Sequence, residues 1–233
     1  NGSGIQPMLE LLADEPIDAI YGNHIYPPLE TGKICVDPGP LMAAYGVFDF
    51  TIVGKGGHGS RPDLAINPIF VGSQILNGIS SAWNNQINVE EIVTLGVTKF
   101  HAGSTLNVIP DEATIGGTIR YFNVDEGKKA LRLIERIATE TAAIHNCSIR
   151  FNVLDGNSKP VVNEEMLARL AQKGIGELFP DSIVQGVKWF ASETFSYYSS
   201  IAPTVFALIG TKNEEKGTGA EVHTDRFDVD HEA

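Results

Sequence analysis

From Tyr45 to Leu154 the spacing of the apolar residues alternates between that of a strand and that of a helix. Alternating stretches, typical of half-buried strands, are followed by stretches with apolar residues every three or four positions, typical of helices. The order is strand, helix, strand, strand, helix, strand, which predicts a ferredoxin-like βαββαβ sandwich. Such a sheet carries helices on one face only, so it has an open face and exposed edges where a partner subunit can bind.

The segments on either side of this stretch predict a second, α/β domain. Residues 5–13 have helical spacing, residues 17–21 resemble a buried strand, and Gly22 to Pro28 is expected to break regular structure. Asn163 is a candidate N-cap for a helix ending near Leu178, and residues 203–209 are typical of a buried parallel strand. We therefore expect one α/β domain in two parts, residues 1–43 and 157–233, with residues 44–156 inserted.

Charge and composition exclude two classes of function. The chain has 17 Lys and Arg against 29 Asp and Glu, a formal charge of −12, which argues against a basic nucleic-acid-binding protein. No apolar run is long enough to span a bilayer, so no membrane partner is expected. The two cysteines, Cys35 and Cys147, form neither a disulfide framework nor a C-x-x-C motif. A reducing, cytoplasmic location is therefore predicted.

Two of the six histidines are candidate metal ligands. His24 follows the predicted strand at residues 17–21, at the strand end where open α/β sheets place ligands. His223 follows the predicted strand at residues 203–209 and a polar loop. Neutral imidazole is the commonest metal ligand in proteins, but a catalytic centre needs at least three protein ligands. The sequence pattern by itself supplies only two candidate ligands, His24 and His223.

His58 lies in the glycine-rich segment Gly-Lys-Gly-Gly-His-Gly-Ser-Arg-Pro. The flanking glycines are expected to present its imidazole on a tight turn. Gly54, Gly56 and Gly59 also match G-x-G-x-x-G, but Pro62 interrupts the segment before the helix and no acidic residue follows at the distance that a ribose contact needs. A dinucleotide site is therefore rejected.

Three further residues are candidates with an ordinary structural alternative. Asn107 precedes the third strand and Arg120 projects from it, where a guanidinium is suited to bind a carboxylate. A turn asparagine and a surface arginine would fit the same pattern. Glu193, between Ser192 and Thr194, is either a residue supporting a metal ligand or a cap.

Six motifs, in order, resemble those of a known enzyme group. They are Gly-Asn-His-x-x-Pro, Gly-Lys-Gly-Gly-His-Gly-Ser-Arg-Pro, Ser-Thr-Leu-Asn-Val-Ile-Pro-Asp, Gly-Thr-Ile-Arg, Ser-Glu-Thr-Phe-Ser-Tyr-Tyr and Val-His-Thr-Asp-Arg-Phe. The chain resembles metal-dependent amidohydrolases of the hippurate hydrolase, N-acyl-amino-acid deacylase and auxin-conjugate hydrolase group, relatives of aminoacylase and glutamate carboxypeptidase. The resemblance implies a zinc-exopeptidase-like catalytic domain, here partial, with an inserted lid domain that forms the dimer.

The resemblance also implies roles for these residues. His24 and His223 would be metal ligands, and His58 would reach the partner subunit's site and stabilise the oxyanion. Asn107 and Arg120 would hold the substrate near its carboxylate, and Glu193 would lie near the metals. Two divalent ions of the Mn or Zn type are expected in each full-length subunit, with an N-acyl amino acid or small peptide-like amide as substrate.

The motifs Cys-Gly-His and Glu-Glu, which this group carries upstream of His24, do not occur among the residues before His24. We therefore expect a fragment that lacks the N-terminal part of the enzyme and is inactive alone. The alternative hypothesis is a non-catalytic dimerisation or binding module.

Overall fold

The computed structural model describes residues Gly4–Ala233 and shows a mixed α/β fold. The helices in this range are α1 (Ile5–Leu12), α2 (Pro68–Gln86), α3 (Val124–Ile144) and α4 (Glu165–Leu178). The strands are β1 (Ile20–Glu30), β2 (Ile34–Cys35), β3 (Gly39–Met42), β4 (Ala44–Val53), β5 (Gly57–His58), β6 (Val93–Ala102), β7 (Val108–Ile109), β8 (Glu112–Tyr121), β9 (Ser148–Asp155), β10 (Val161–Asn163), β11 (Ile183–Val184) and β12 (Thr204–Lys212). Two 3-10 segments span Pro62–Leu64 and Thr194–Ser200. None of these helices is long and apolar enough to cross a membrane.

These elements form two compact units. The split unit comprises the residues up to Ala43 together with Lys159–Ala233, and the sandwich comprises Ala44–Ser158. Each unit has its own apolar core.

The sandwich has the predicted βαββαβ order. Its sheet runs β6-β8-β4-β9, with every neighbouring pair antiparallel. Helices α2 and α3 contribute to one core with the strands, in which Phe50, Ile75 and Ile134 are fully buried. The prediction of a ferredoxin-like domain inserted in an α/β chain is therefore confirmed.

Asparagine caps determine where both sandwich helices begin. The Asn67 side chain accepts a hydrogen bond from the N–H of Ile69 at 3.0 Å, and Pro68 follows as the first helical residue. The Asn123 side chain accepts from the N–H groups of Asp125 and Glu126. Each cap satisfies donors that the first helical turn leaves without an intrahelical partner.

Tyr121 determines where the sandwich ends. Its hydroxyl, on a fully buried ring, lies 3.0 Å from the carbonyl oxygens of both Gly156 and Ser158. These contacts hold the chain against the sandwich beyond β9. The unit accordingly ends at Ser158 and not at the expected Gly156.

The split unit contains a four-stranded sheet of order β1-β12-β2-β11. Strand β12 is parallel to β1 and antiparallel to β2. Its alternate residues enter two different clusters: Phe206 and Leu208 pack with Cys35, whereas Val205 and Ala207 pack with Ala168. Because both faces of β12 are buried, its sequence is continuously apolar.

Two expectations for strand β1 of the split unit were wrong. The first strand begins at Ile20, not at residue 17, and Tyr21 on it is 54% exposed. The strand continues to Glu30 through the segment expected to break it, because β1 is a sheet edge and prolines are tolerated where no ladder N–H is needed.

Asn163 is not the N-cap of α4. It ends β10, and its buried side chain donates to the carbonyls of Asp37 and Phe206 and accepts from the N–H of Phe206 at 2.7 Å. The cap is Glu164, whose carboxylate accepts from the N–H of Leu167 at 2.8 Å. Asn163 therefore joins three segments of the split unit.

Candidate functional site

His24 lies within β1, paired in register with Leu208, and not in a loop after a strand as expected. Its Nδ1 atom is 2.7 Å from the carbonyl oxygen of Ile25. A carbonyl oxygen only accepts hydrogen bonds, so Nδ1 carries the proton and the lone pair is on Nε2. The ring also contacts Trp189 edge-on, with the centroids 4.9 Å apart. His24 therefore has a fixed ring with a nitrogen suited to bind a cation.

His223 and Glu193 lie in irregular segments of the split unit. His223 is exposed and has a positive φ of 65°, so the backbone turns sharply at this residue. Glu193 acts as a cap, because its carboxylate accepts hydrogen bonds from the N–H of Phe195 and the hydroxyl of Thr194, both at 3.2 Å.

The residues of the described chain do not complete a two-metal centre. From Gly4 onward, no three His, Cys, Asp or Glu side chains are grouped so that they could hold a metal ion. His24 and His223 are neutral ligands, and two dications require anionic ligands as well. The donor set present therefore fits at most part of such a centre.

A cavity of about 530 Å³ lies beside β1 in the split unit. Asn23 and Glu193 line it together with the apolar side chains of Met8, Phe195 and Phe206. The cavity wall is thus mixed, because Thr194 and Tyr198 also line it beside the amide, the carboxylate and these apolar groups. Gly22 keeps the strand close to this wall, because a Cβ there would lie 2.7 Å from the Phe195 ring.

His58 lies on the short strand β5, and not on a tight turn as expected. β5 pairs with β7, so that His58 is opposite Val108, and the next N–H, of Gly59, donates to the carbonyl of Asn107 at 2.8 Å. The structure therefore brings two candidate residues, His58 and Asn107, together in the sandwich. We call residues 54–66 the His58 loop.

Close packing explains the glycines of the His58 loop better than backbone freedom does. None of Gly54, Gly56 and Gly59 has a positive φ. A Cβ on Gly54 would lie 2.3 Å from the carbonyl oxygen of Ile66, closer than real Cβ contacts allow. The loop is anchored at its start, because the N–H of Gly56 donates to the Asp111 carboxylate at 2.8 Å.

Arg120 lies at the other end of the sandwich from His58. It pairs with Tyr45 near the start of β4, and its guanidinium carbon is 5.6 Å from the centre of the Tyr45 ring. The His58 loop follows the far end of β4, after Val53. A ten-residue strand spans about 30 Å. One chain therefore does not bring its own His58 and Arg120 together within the sandwich.

Sequence reasoning missed two side chains that contact candidate histidines, one in each unit. Ser60 contacts the His58 ring, with Oγ 2.8 Å from Nδ1, and the spacing of two residues could have indicated it. Trp189 contacts His24 from a segment far along the chain, and no local pattern predicts that contact.

The chain is similar to proteins that are named as hydrolases. Residues 45–146 match a family model described as a peptidase dimerisation domain. The chain is 28% identical over 99% of its length to IAA-amino acid hydrolase ILR1-like 4 of Arabidopsis thaliana, of which it covers 53%. It is 30% identical over 99% of its length to the N-acetylcysteine deacetylase of Bacillus subtilis, of which it covers 59%.

A solved structure gives the same result. The YXEP protein of Bacillus subtilis, described as a dinuclear metal binding peptidase from the M20 family, superposes with a TM-score of 0.74 at 28% identity. The match covers 96% of this chain and 55% of that one. The chain thus spans little more than half the length of the relatives that it matches.

Proposed function

We propose that the chain is part of a peptidase or amidohydrolase of the M20 family, and that the full-length protein hydrolyses the amide bond of N-acyl amino acids or small peptide-like substrates. The observation that carries this proposal is the extent of the similarity. It reaches 99% of the chain for a deacetylase, and so includes the split unit as well as the dimerisation domain.

Three residues of the sandwich would act on the substrate. The planar guanidinium of Arg120 would bind the substrate carboxylate through two parallel hydrogen bonds. The amide of Asn107, which lies beside the His58 loop and not near Arg120, would bind another polar group of the substrate. The His58 imidazole would donate a hydrogen bond to the oxygen on which negative charge develops in the transition state.

We propose that His58 acts in the site of a partner subunit. Support comes from the separation of about 30 Å along β4 between the Tyr45 end, where Arg120 lies, and the His58 loop. A site that uses Arg120 of one chain would then take His58 from another. The family model for a dimerisation domain is consistent with such an arrangement.

The dimer contact is proposed at strand β6 and the adjacent side of α2. β6 is an edge of the sheet, so one side of its backbone can pair with another strand. Val97 and Phe100 on β6 are 40% and 39% exposed, and Phe70 on α2 is 72% exposed. A second copy that pairs antiparallel with β6 would cover these apolar groups and extend the sheet.

Divalent metal ions, of the Mn or Zn type and two per full-length subunit, are proposed for the complete enzyme with His24 and His223 among their ligands. Because the described residues include no complete ligand cluster, we propose that the 233-residue chain alone dimerises but is not catalytic. Its two free cysteines agree with a cytoplasmic location.

Subunit mixing tests this function. In the full-length protein His58→Ala should lower kcat by about a hundredfold with little loss of metal, because an oxyanion donor contributes mainly in the transition state. His223→Ala should lose metal and activity. Mixing the two inactive variants should restore part of the activity through heterodimers with one intact composite site. No restoration after proven subunit exchange would refute the role of His58 in the partner's site.

The substrate proposal has a separate test. N-acetyl and N-benzoyl amino acids should be hydrolysed by the full-length protein with added Mn²⁺ or Zn²⁺, and not by the 233-residue chain. Turnover by the purified chain, or stoichiometric binding of two metal ions to it, would contradict the view that its site is incomplete.

A further inference from the structure

The His58 ring has a contact that determines which of its nitrogens can donate. Nδ1 is 3.2 Å from the main-chain nitrogen of Ser60, whose N–H points at it, and 2.8 Å from the Ser60 hydroxyl oxygen. Both contacts come from one residue, two positions along the chain. The ring is exposed, and among the residues that the structure describes no other side chain is hydrogen-bonded to it.

A main-chain N–H can only donate, so the ring nitrogen that it meets must accept. In neutral histidine the accepting nitrogen is the one without a proton, and the other nitrogen carries it. A proton on Nδ1 would leave two N–H groups facing each other. The Ser60 hydroxyl, 2.8 Å from the same nitrogen, can donate a second hydrogen bond to its lone pair, so that Ser60 offers Nδ1 two donors in the tautomer with its proton on Nε2.

We propose that Ser60 is a positioning residue that holds His58 in the tautomer with its proton on Nε2, so that a fixed N–H donor faces outward toward an incoming oxygen. This inference rests on the proposed function only for the identity of that oxygen. The tautomer itself follows from contacts within the chain.

The surrounding backbone makes the arrangement rigid. The pairing of Gly57 with Ile109 and the hydrogen bond from Gly59 to Asn107 fix the strand that carries the ring. The N–H of Arg61 donates to the carbonyl of His58 at 2.9 Å, which closes the turn through Ser60. The ring is therefore held on one side by Ser60 while its Nε2 side stays open.

His24 shows the opposite arrangement. Its Nδ1 donates to a carbonyl and leaves a lone pair on Nε2, whereas Nδ1 of His58 accepts and leaves an N–H on Nε2. The first tautomer suits a cation and the second suits an anion. The two histidines are thus prepared by their neighbours for different chemistry.

Nitrogen NMR of the ring tests the proposal in the 233-residue chain without any assay of activity. Long-range proton–nitrogen correlation spectra, recorded at a pH where the ring is uncharged, should show Nδ1 of His58 as the unprotonated nitrogen. A His58→Ala spectrum identifies the resonances. In Ser60→Ala the ratio of the two tautomers should shift toward the Nδ1–H form by about fivefold, the effect of one hydrogen bond. Ser60→Thr should restore the ratio, and Ser81→Ala, at an exposed serine of α2, should leave it unchanged.

Activity of the full-length protein gives the second measurement. Ser60→Ala should lower kcat by about fivefold with KM little changed, and Ser60→Thr should recover it. A wild-type spectrum with the proton on Nδ1 would overturn the proposal, and so would a loss of kcat in Ser60→Ala with an unchanged tautomer ratio. If the full-length protein hydrolyses no N-acyl amino acid, the proposed function fails while the NMR result still decides the tautomer.

Discussion

The main-chain N–H of Gly59 donates to the carbonyl oxygen of Asn107 at 2.8 Å. Two segments almost fifty residues apart, each with a residue expected to bind substrate, are thereby joined beside the pairing of β5 with β7. Because these strands are only two residues long, the geometry of the region depends on few hydrogen bonds and on close backbone packing. Substitutions that disturb these hydrogen bonds or this packing should therefore change the stability of the sandwich measurably.

Gly54→Ala should destabilise the sandwich by about 1–3 kcal/mol, because the added Cβ would meet the Ile66 carbonyl oxygen and force the backbone to move. Gly174→Ala in α4 is the matched control. No atom lies within 4 Å of a Cβ at that position, and alanine should raise stability by up to about 1 kcal/mol. Urea unfolding, monitored by tryptophan fluorescence and circular dichroism, measures the change in unfolding free energy for each variant. Equal effects of the two substitutions would contradict the packing explanation.

Residues 44–158 should fold alone, because every fully buried residue of the sandwich core lies within this range. Denaturant unfolding of this segment should show one cooperative transition. A segment that ends at residue 156 lacks the Ser158 carbonyl that Tyr121 contacts, and should be less stable by about 1 kcal/mol. A gradual loss of signal without a transition would show that the sandwich needs the rest of the chain.

Asp230 should make stability depend on pH in the acid range. Hydrogen bonds from the Lys216 ammonium and the Asn213 amide lower the pKa of this carboxyl far below its ordinary value of about 3.9. A depressed folded-state pKa adds stability that is fully present at neutral pH and is lost as the pH falls below about 4. Thermal unfolding should show Asp230→Asn less stable than wild type at pH 7, with the difference shrinking in acid.

The exposed Asp228→Asn is the control for this measurement and should show no such convergence. If Asp230→Asn kept the same difference from wild type at every pH, the carboxylate would not be the source of the effect.

Both thiols should be unreactive in the folded chain. Burial raises the pKa of the Cys35 thiol to about 11 and also raises the pKa of Cys147, so little nucleophilic thiolate forms at pH 8. Ellman's reagent should modify neither thiol in native protein and both in guanidinium chloride. Ser81→Cys supplies an exposed thiol that should react at once. Rapid reaction of a native thiol would indicate local opening around it.

The sandwich could be predicted from the sequence because its signals are local. Phe48, Phe50 and Ile52 alternate on one strand, and Asn123 stands directly before the helix that it caps. The fold of this unit therefore follows from spacing and capping within short windows.

The split unit was predicted less well because its structure depends on distant partners. Strand β1 continues through Pro27 and Pro28 because β12, about 180 residues later, pairs with its first half and leaves its outer edge free. Asn163 looks like a cap from its neighbours, but its partners are Asp37 and Phe206. Contacts of this kind leave no pattern in a local window.

The candidate site was likewise predicted only in part: its residue types were predicted, but not their positions relative to one another. The residue types at His24, His58, Asn107, Arg120, His223 and Glu193 could be chosen from the sequence, but the separation of Arg120 from His58 along the sandwich could not. That separation depends on the direction and length of β4 and β8, which only the folded sheet determines.

Strand β4 opens the sandwich and β9 closes it, and the two strands are direct neighbours, with Val47 opposite Asp155. The chain therefore enters and leaves this unit at the same end, a short distance apart. A domain with such neighbouring ends can be removed and replaced by a short linker, or inserted into a surface loop of another protein, without stretching its host. The sandwich can therefore be inserted into another protein as one continuous segment, because its two ends need only a small gap in the host backbone.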